Sequence, residues 1–303
     1  MRAGILRAAP AVRWAVLPLP VLALLALAAL LLVPEPGGRE AGARQAAHPV
    51  TFYDARAFSL ALEEAGRTPV APMPGARAVV VPHHWLAGHL ILGTLRDLAA
   101  SGAYDRVILV GPDHVGAASA GAATSDLPWE TPFGLLRADA DSVSRLAAAG
   151  VARTEPDTLT DEHSVAGIVP AIAYYLPGAE VVPLILRGDL DSGQVSALAR
   201  ALAPLLDDGT IVVASVDFSH YQSAAEARAR DAETLAAMEA MDSRAILSFG
   251  DEHLDSPPTI ALLSEMMRLL HRGEFMLRQH ANSGELTGLF RPPVTSYVTG
   301  YYR

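Results

Sequence analysis

The sequence predicts a three-layer αβα sandwich built around a mainly parallel or mixed central sheet. Short β-branched runs, such as 78–81 and 210–215, alternate with longer segments rich in Ala and Leu. Alternation of strands with helices is typical of this fold class. The predicted strands are apolar on both faces, which is expected of a sheet that helices cover on both sides.

Each predicted element follows from a local pattern. The strands are expected at 78–81, 106–110, 181–186, 210–215 and 298–302. The helices are expected at 86–100, 141–149, 164–176, 191–206, 223–248 and 257–272. Residues 123–140 break the alternation, because Pro128, Pro132 and Gly134 favour an irregular or hairpin insertion.

The N-terminal segment differs from the rest of the chain. Three Arg residues lie before an uncharged apolar run at 14–33, which at ~1.5 Å per residue can cross a bilayer core of ~30 Å. Arg on the short side predicts that this end stays in the cytoplasm. We therefore expect residues 1–33 to form a single-pass anchor in the cytoplasmic membrane, with the remaining chain extracytoplasmic. In the alternative, cleavage at 41–43 would release a periplasmic or secreted protein.

The segment 34–50 is rich in Pro, Gly and Ala, which predicts a flexible stalk. Residues 51–303 are then expected to form one α/β domain. The formal net charge of the whole chain is −10, which argues against a nucleic-acid partner. The chain contains no Cys, so disulfides and thiolate metal sites are excluded. Any metal must be held by His and carboxylate side chains.

Three predicted strands end close to His residues. In open α/β sheets, ligands bind beyond the carboxyl ends of the strands, so these side chains are expected to converge. Imidazole binds Fe, Zn, Cu or Ni, and two His with one carboxylate are typical of a non-haem iron site. The segments concerned are Pro82-His83-His84, Gly111-Pro112-Asp113-His114 and Asp217-Phe218-Ser219-His220.

The candidate residues differ in how strongly the pattern supports them. His83 and His114 are expected to be metal ligands, whereas His84 is expected to pack beside them. Asp113 is either a site residue or a helix N-cap. Asp217 and His220 are expected to act in the site. His163 opens a predicted helix and is also taken as a site residue.

Several segments from about residue 70 onward resemble the Memo family, including the bacterial members called AmmeMemoRadiSam system protein B. Their order and spacing make the resemblance specific. The matching segments are Val81-Pro82-His83, Gly111-Pro112-Asp113-His114, Thr131-Pro132-Phe133-Gly134, Glu162-His163-Ser164, Val182-Pro183-Leu184, Ser215-Val216-Asp217-Phe218-Ser219-His220-Tyr221, Ser283-Gly284-Glu285 and Gly300-Tyr301.

The resemblance implies a fold similar to the class III extradiol dioxygenases, which use Fe(II) held by two His and one Glu. It implies that His83 and His114 are ligands of a divalent metal, with Fe(II) expected first and Zn or Cu as alternatives. The family usually has Cys at the third position, where this chain has Asp255. Glu252 or His253 could take that place instead, and Asp255 could merely cap the following helix.

The leading functional hypothesis is a dioxygenase-like redox enzyme that acts on a small, oxygen-rich molecule. His220, positioned by Asp217, would be the acid/base, and His163 would orient substrate or metal-bound water. Ala166 and Val216 depart from the family pattern, which leaves two alternatives open. One is a metal-dependent hydrolase, and the other is a non-catalytic extracytoplasmic protein that binds a metal or small molecule. Membrane contact is expected only through the N-terminal helix.

Overall fold

The structure is a computed structural model that describes residues 46–289 and 291–303. The predicted anchor at 1–33 and residues 34–45 of the predicted stalk lie outside the described residues. Within the described ranges, no helix combines the length and apolar character that a membrane span requires.

The five predicted strands all form, and their observed bounds differ from the predicted ones by at most two residues. The strands are β1 (His48–Pro49), β2 (Ala78–Val81), β3 (Arg106–Pro112), β4 (Ala122–Thr124), β5 (Trp129–Thr131), β6 (Gly134–Leu136), β7 (Arg153–Thr154), β8 (Glu180–Leu186), β9 (Thr210–Ser215), β10 (Phe275–Asn282) and β11 (Ser296–Tyr302).

Each predicted helical segment contains a helix, two of these segments are divided, and three further helices were not predicted. They are α1 (Ala55–Ala65), α2 (Gly88–Ala99), α3 (Ala140–Ala148), α4 (Pro156–Thr160), α5 (His163–Ala166), α6 (Val169–Tyr175), α7 (Ser192–Leu202), α8 (Ala224–Glu239), α9 (Ser243–Leu247), α10 (Pro257–Leu269) and α11 (Ser283–Thr287).

The central sheet has eight strands in the order β10-β11-β2-β9-β3-β8-β4-β7. Its four middle strands, β2, β9, β3 and β8, are parallel. The sheet becomes antiparallel at β11 and at β4, so the predicted mixed sheet is confirmed. Because the middle strands run in one direction, their carboxyl ends meet at one edge of the sheet.

Side chains of each middle strand alternate between two hydrophobic layers. Val80 and Val212 belong to a cluster that includes residues of α7 and α10. Val79 and Val213 belong to a second cluster with residues of α1, α2 and α6. Both faces of the sheet are therefore covered, which accounts for the uninterrupted apolar runs of the strands.

Two long helices predicted from the sequence are each divided in two. The segment 164–176 is split around Gly167, where an added Cβ would lie 2.6 Å from the carbonyl oxygen of His163. The segment 223–248 is split at Met241, which has a φ of 51°. Asp242 then starts α9 by accepting a hydrogen bond from Ala245 N. A glycine sets the first of these divisions, and a capping carboxylate sets the second.

The insertion at 123–140 contains the predicted hairpin. Strands β5 and β6 pair antiparallel, with Thr131 opposite Gly134, and Gly134 has a φ of 119° that favours glycine. Strand β1 pairs in parallel with β5 and completes a small separate sheet.

Residues 46–50, at the end of the predicted stalk, cluster with the folded unit. His48 is 1 % exposed and stacks on Trp129 with ring centroids 4.2 Å apart. Its two ring nitrogens each lie 2.7 Å from a hydroxyl oxygen, of Thr160 and of Ser125. Burial lowers the pKa of His48 to about 4, so this imidazole is neutral at pH 7. A segment with few large apolar residues is thus fixed by one polar side chain.

Candidate metal centre

The predicted site residues meet at the carboxyl edge of the parallel strands. His83 follows β2, His114 follows β3, and Asp217 follows β9. The register places Val81 beside Ser215, so the loops after β2 and β9 start at the same level. Gly111 lets α5 approach β3, since a Cβ there would lie 2.6 Å from Ser164 Oγ. This close packing brings His163 to the same edge.

Contacts fix both the backbone and the ring of His83. Its backbone N–H donates to Asp217 Oδ1 at 3.0 Å. Its Nδ1 lies 3.4 Å from Ser215 Oγ, which donates its own hydrogen to the Ser164 carbonyl oxygen at 2.6 Å. Nδ1 is therefore the donor in this contact, and Nε2 lies 3.1 Å from Asp255 Oδ2. Burial acts to lower the pKa of His83, but the charges of Asp217 and Asp255 outweigh burial and raise it.

His114 is oriented by a carboxylate that the sequence analysis did not assign to the site. Its Nδ1 lies 2.8 Å from Glu162 Oε1, and its backbone N–H donates to Glu162 Oε2 at 2.9 Å. Its Nε2 lies 3.6 Å from Asp255 Oδ2. Burial acts to lower the pKa of His114, but hydrogen bonds to Asp255 and Glu162 raise it to about 10. A carboxylate on one nitrogen is the usual way to aim the other nitrogen at a metal.

Glu162 combines this role with that of a helix cap. It is 2 % exposed and accepts a hydrogen bond from Ser164 N at 2.9 Å, which starts α5. Burial alone would raise the pKa of Glu162, but hydrogen bonds from His114 and His163 lower it. The sequence signal that could have identified Glu162 is an acidic residue placed directly before a His at a helix start.

Asp255 supplies the carboxylate between the two imidazoles. Its Oδ2 faces His83 Nε2 and His114 Nε2, whereas its Oδ1 is buried and has no hydrogen-bond partner. Burial acts to raise the pKa of Asp255, but the His83 charge and the hydrogen bonds from His114 and His83 lower it. The cap of the following helix is Ser256, which accepts from Thr259 N, so Asp255 is not needed as a cap.

The two alternatives to Asp255 lie elsewhere. His253 stacks on Phe249 at a centroid distance of 4.1 Å and contacts Glu233 at 2.8 Å. Glu252 is largely exposed and lies 3.3 Å from the other nitrogen of His253. Neither residue faces His83 or His114 in the contacts described above.

His163 lies closer to the centre than its predicted role in orienting substrate requires. Its ring stacks on His114 with centroids 4.2 Å apart. The ligand atoms of His83, His114 and His163 all lie within 4.8 Å of one another. The same holds for His83, Asp217 and Asp255. His163 is thus a further candidate ligand.

The predicted support of His220 by Asp217 is not what the structure shows. Asp217 is buried and accepts from the His83 backbone, and its own N–H donates to Asp255 Oδ2 at 3.3 Å. The Nδ1 of His220 is buried without a hydrogen-bond partner, and the His220 backbone N–H donates to the Asp251 carbonyl at 2.9 Å. Asp217 therefore connects two candidate metal ligands, and His220 is held through its backbone.

The remaining predicted neighbours have structural partners. His84 Nδ1 lies 2.8 Å from the hydroxyl of Tyr297, and burial lowers the pKa of His84. Asp113 accepts hydrogen bonds from the backbone N–H groups of Ala117 and Ala118. Asp113 thus caps a loop, whereas the alternative that the sequence left open was a helix N-cap.

A cavity of about 660 Å³ opens onto these side chains. His83, His114, His163 and Asp217 form its inner wall. The remaining wall includes Phe52, Trp85, Tyr221 and His220. A pocket of this size and mixed lining is typical of a small-molecule site.

A family model described as "Memo-like protein" matches residues 44–301. The chain belongs to this family. Among curated Memo relatives, a MEMO1 family protein of Methanopyrus kandleri is 29% identical over 239 residues, which cover 76% of this chain and 81% of the relative. A MEMO1 family protein of Aeropyrum pernix is 28% identical over 284 residues, which cover 85% of this chain and 97% of the relative. The predicted resemblance is confirmed.

One solved structure is similar to this chain in fold. It is an uncharacterized protein from Escherichia coli, with a TM-score of 0.51 and 15% sequence identity. The matched region covers 74% of this chain and 98% of the Escherichia coli chain. At this identity the likeness concerns the fold alone.

The residues of this Memo protein fit a divalent cation. Two imidazoles with their outer nitrogens occupied, and one ionised carboxylate with an unpartnered oxygen, provide nitrogen and oxygen donors. Imidazole with carboxylate suits Fe, Zn or Cu, so the donor set indicates a transition metal without fixing which one. Imidazoles bind a metal only after losing the proton on the ligating nitrogen.

Proposed function

We propose that this Memo-like protein is a metal-dependent redox enzyme of the non-haem iron dioxygenase-like type, acting on a small molecule. The observation that carries the proposal is the convergence of His83 Nε2 and His114 Nε2 on Asp255 Oδ2, at 3.1 and 3.6 Å. Two His and one carboxylate with open positions are the donor set of non-haem Fe(II) oxygenases. Zn and Cu are the other metals that this set supports.

A bound Fe(II) would supply coordination positions for substrate and O₂ together with redox chemistry. The chain itself would orient and shield the reacting molecule. Phe52 and Trp85 line the cavity and restrict water, which strengthens polar contacts inside it. His220 lines the same cavity and would hold or move a proton at its imidazole. Among the residues that the structure describes, no Arg lines this cavity, which favours a neutral, oxygen-rich substrate over a strongly anionic one.

The test is metal analysis of protein purified without oxygen. The wild type is expected to retain about one Fe(II) per chain, and the His83→Ala/His114→Ala double variant is expected to retain almost none, because two nitrogen donors are lost. The matched control is His271→Asn, which changes an exposed His elsewhere at a positive φ that Asn tolerates. Equal metal content in the double variant and wild type would refute the site. Consumption of O₂ with substrate would separate a redox enzyme from a hydrolase.

We also propose that the domain works outside the cytoplasmic membrane and is attached through residues 14–33. The support is the uncharged apolar run preceded by Arg2, Arg7 and Arg13. A C-terminal alkaline phosphatase fusion, which is active only outside the cytoplasm, is expected to be active with the full chain. It is expected to be inactive when residues 1–33 are deleted. Activity independent of residues 1–33 would contradict the proposal.

A further inference from the structure

A second, smaller cavity adjoins the candidate metal centre. Its volume is about 260 Å³, and it shares His114, His220 and Tyr221 with the larger cavity. Asp113, Asp251 and Asp255 line the smaller cavity and are absent from the wall of the larger one. The two cavities therefore approach the same imidazoles with different chemistry, one aromatic and one acidic.

The three carboxylates of the smaller cavity differ in how many of their oxygen atoms already accept hydrogen bonds. Both oxygens of Asp113 accept hydrogen bonds from backbone N–H groups, at 3.0 and 2.9 Å. Asp251 is exposed, and within the described residues only its carbonyl oxygen is engaged, by the N–H of His220. The neighbouring cation Arg187 is paired with Asp189 through two contacts of 3.0 Å. Asp251 thus places an uncompensated negative charge at the cavity surface.

The two carboxylate oxygens of Asp255 differ in their contacts. Its side chain is 9% exposed, and Oδ2 faces His83 and His114. Its Oδ1 is buried without a hydrogen-bond partner, although Asp255 lines the smaller cavity. A buried carboxylate oxygen without a donor is unfavourable, because it has lost its hydration and gained no hydrogen bond. A cation in the smaller cavity would satisfy this oxygen.

We propose that the smaller cavity is the entry site of the divalent cation. The cation is attracted by Asp251, binds transiently at Asp255 Oδ1, and then passes to the side of Asp255 that faces His83 and His114. This inference rests on the proposed metal centre. Of the described carboxylates, the larger cavity offers only that of Asp217, which already accepts a hydrogen bond from the His83 backbone. Separate routes would let the metal exchange while an organic molecule fills the larger cavity.

The experiment measures the rate of Co(II) uptake by the chelator-stripped full chain, followed by visible absorption in a stopped-flow instrument. Asp251→Asn removes the charge and keeps the backbone contact to His220. At low ionic strength it is expected to slow association by about three- to tenfold, and the difference should shrink in high salt. Gly188→Phe adds a ring to the cavity wall at a position where a Cβ meets nothing within 4 Å. It is expected to slow uptake at any salt concentration.

The matched control is Asp208→Asn, the same change at an exposed Asp that pairs with Arg77 away from this cavity. It should load at the wild-type rate, and all variants should reach the same final Co(II) content. Slower loading in both cavity variants supports the entry site, and wild-type loading in either one overturns it. If the wild type takes up no Co(II), the metal centre itself is wrong, which is a distinct result.

Discussion

Replacing Asp255 by Asn is expected to weaken Fe(II) binding about a hundredfold or more, the largest loss from any single isosteric change in this site. Asn keeps the volume and can still accept from Asp217 N, but it removes the negative charge that faces the imidazoles of both His83 and His114. Loss of groups that merely support a ligand costs 10–100-fold, so loss of a ligand should cost at least as much. Anaerobic competition with a chelator of known affinity measures the change.

The comparison variants make this prediction specific. Asp251→Asn also removes a charge near the centre, yet its equilibrium affinity for Fe(II) should match the wild type. Asp255→Cys should restore binding with a softer donor and shift preference from Fe(II) toward Zn or Cu(I). Wild-type Fe(II) affinity in Asp255→Asn would show that Asp255 is not a ligand.

Replacing Glu162 by Ala is expected to affect stability and metal affinity together. The change leaves the backbone N–H groups of His114 and Ser164 without their acceptor, which should lower the free energy of unfolding by about 3 kcal/mol. It also frees the His114 ring, so Fe(II) affinity should fall about 10–100-fold. Denaturant unfolding and chelator competition measure the two effects.

A matched control separates the two roles of Glu162. Asp54 caps α1 at an exposed position, where its carboxylate accepts from Ala57 N at 2.7 Å. Asp54→Ala should cost about 1 kcal/mol and leave Fe(II) affinity unchanged. If Glu162→Ala behaved in the same way, Glu162 would be a helix cap only.

The sequence predicted the edge of the sheet where the site lies, for a clear physical reason. Strands β2, β3 and β9 are buried on both faces, so their β-branched runs are unmistakable, and His83, His114 and Asp217 follow them directly. Parallel pairing then forces the three loops together. The third partner, Asp255, follows a helix and an irregular loop, so only the family resemblance and the absence of Cys indicated it.

Other features are not marked in the sequence by a pattern as strong as these β-branched runs. Strand β10 was not predicted because it is an edge strand whose exposed polar residues, such as Gln279 and His280, interrupt any apolar run. The role of Glu162 depends on a contact with His114 across 48 positions of sequence. The partner of Asp217 likewise depends on which backbone group lies nearest, and pattern reasoning chose His220 instead of His83.

His48 has a mechanical consequence. Its ring nitrogens contact Thr160 and Ser125, and its strand pairs with β5. His48 itself lies two residues after Ala46, where the folded unit starts. Tension transmitted along the chain from the residues before Ala46 would reach His48 before it reached Phe52 in the cavity wall. If the chain is tethered at 14–33, the contacts of His48 would resist a pulling force before it reached the metal centre.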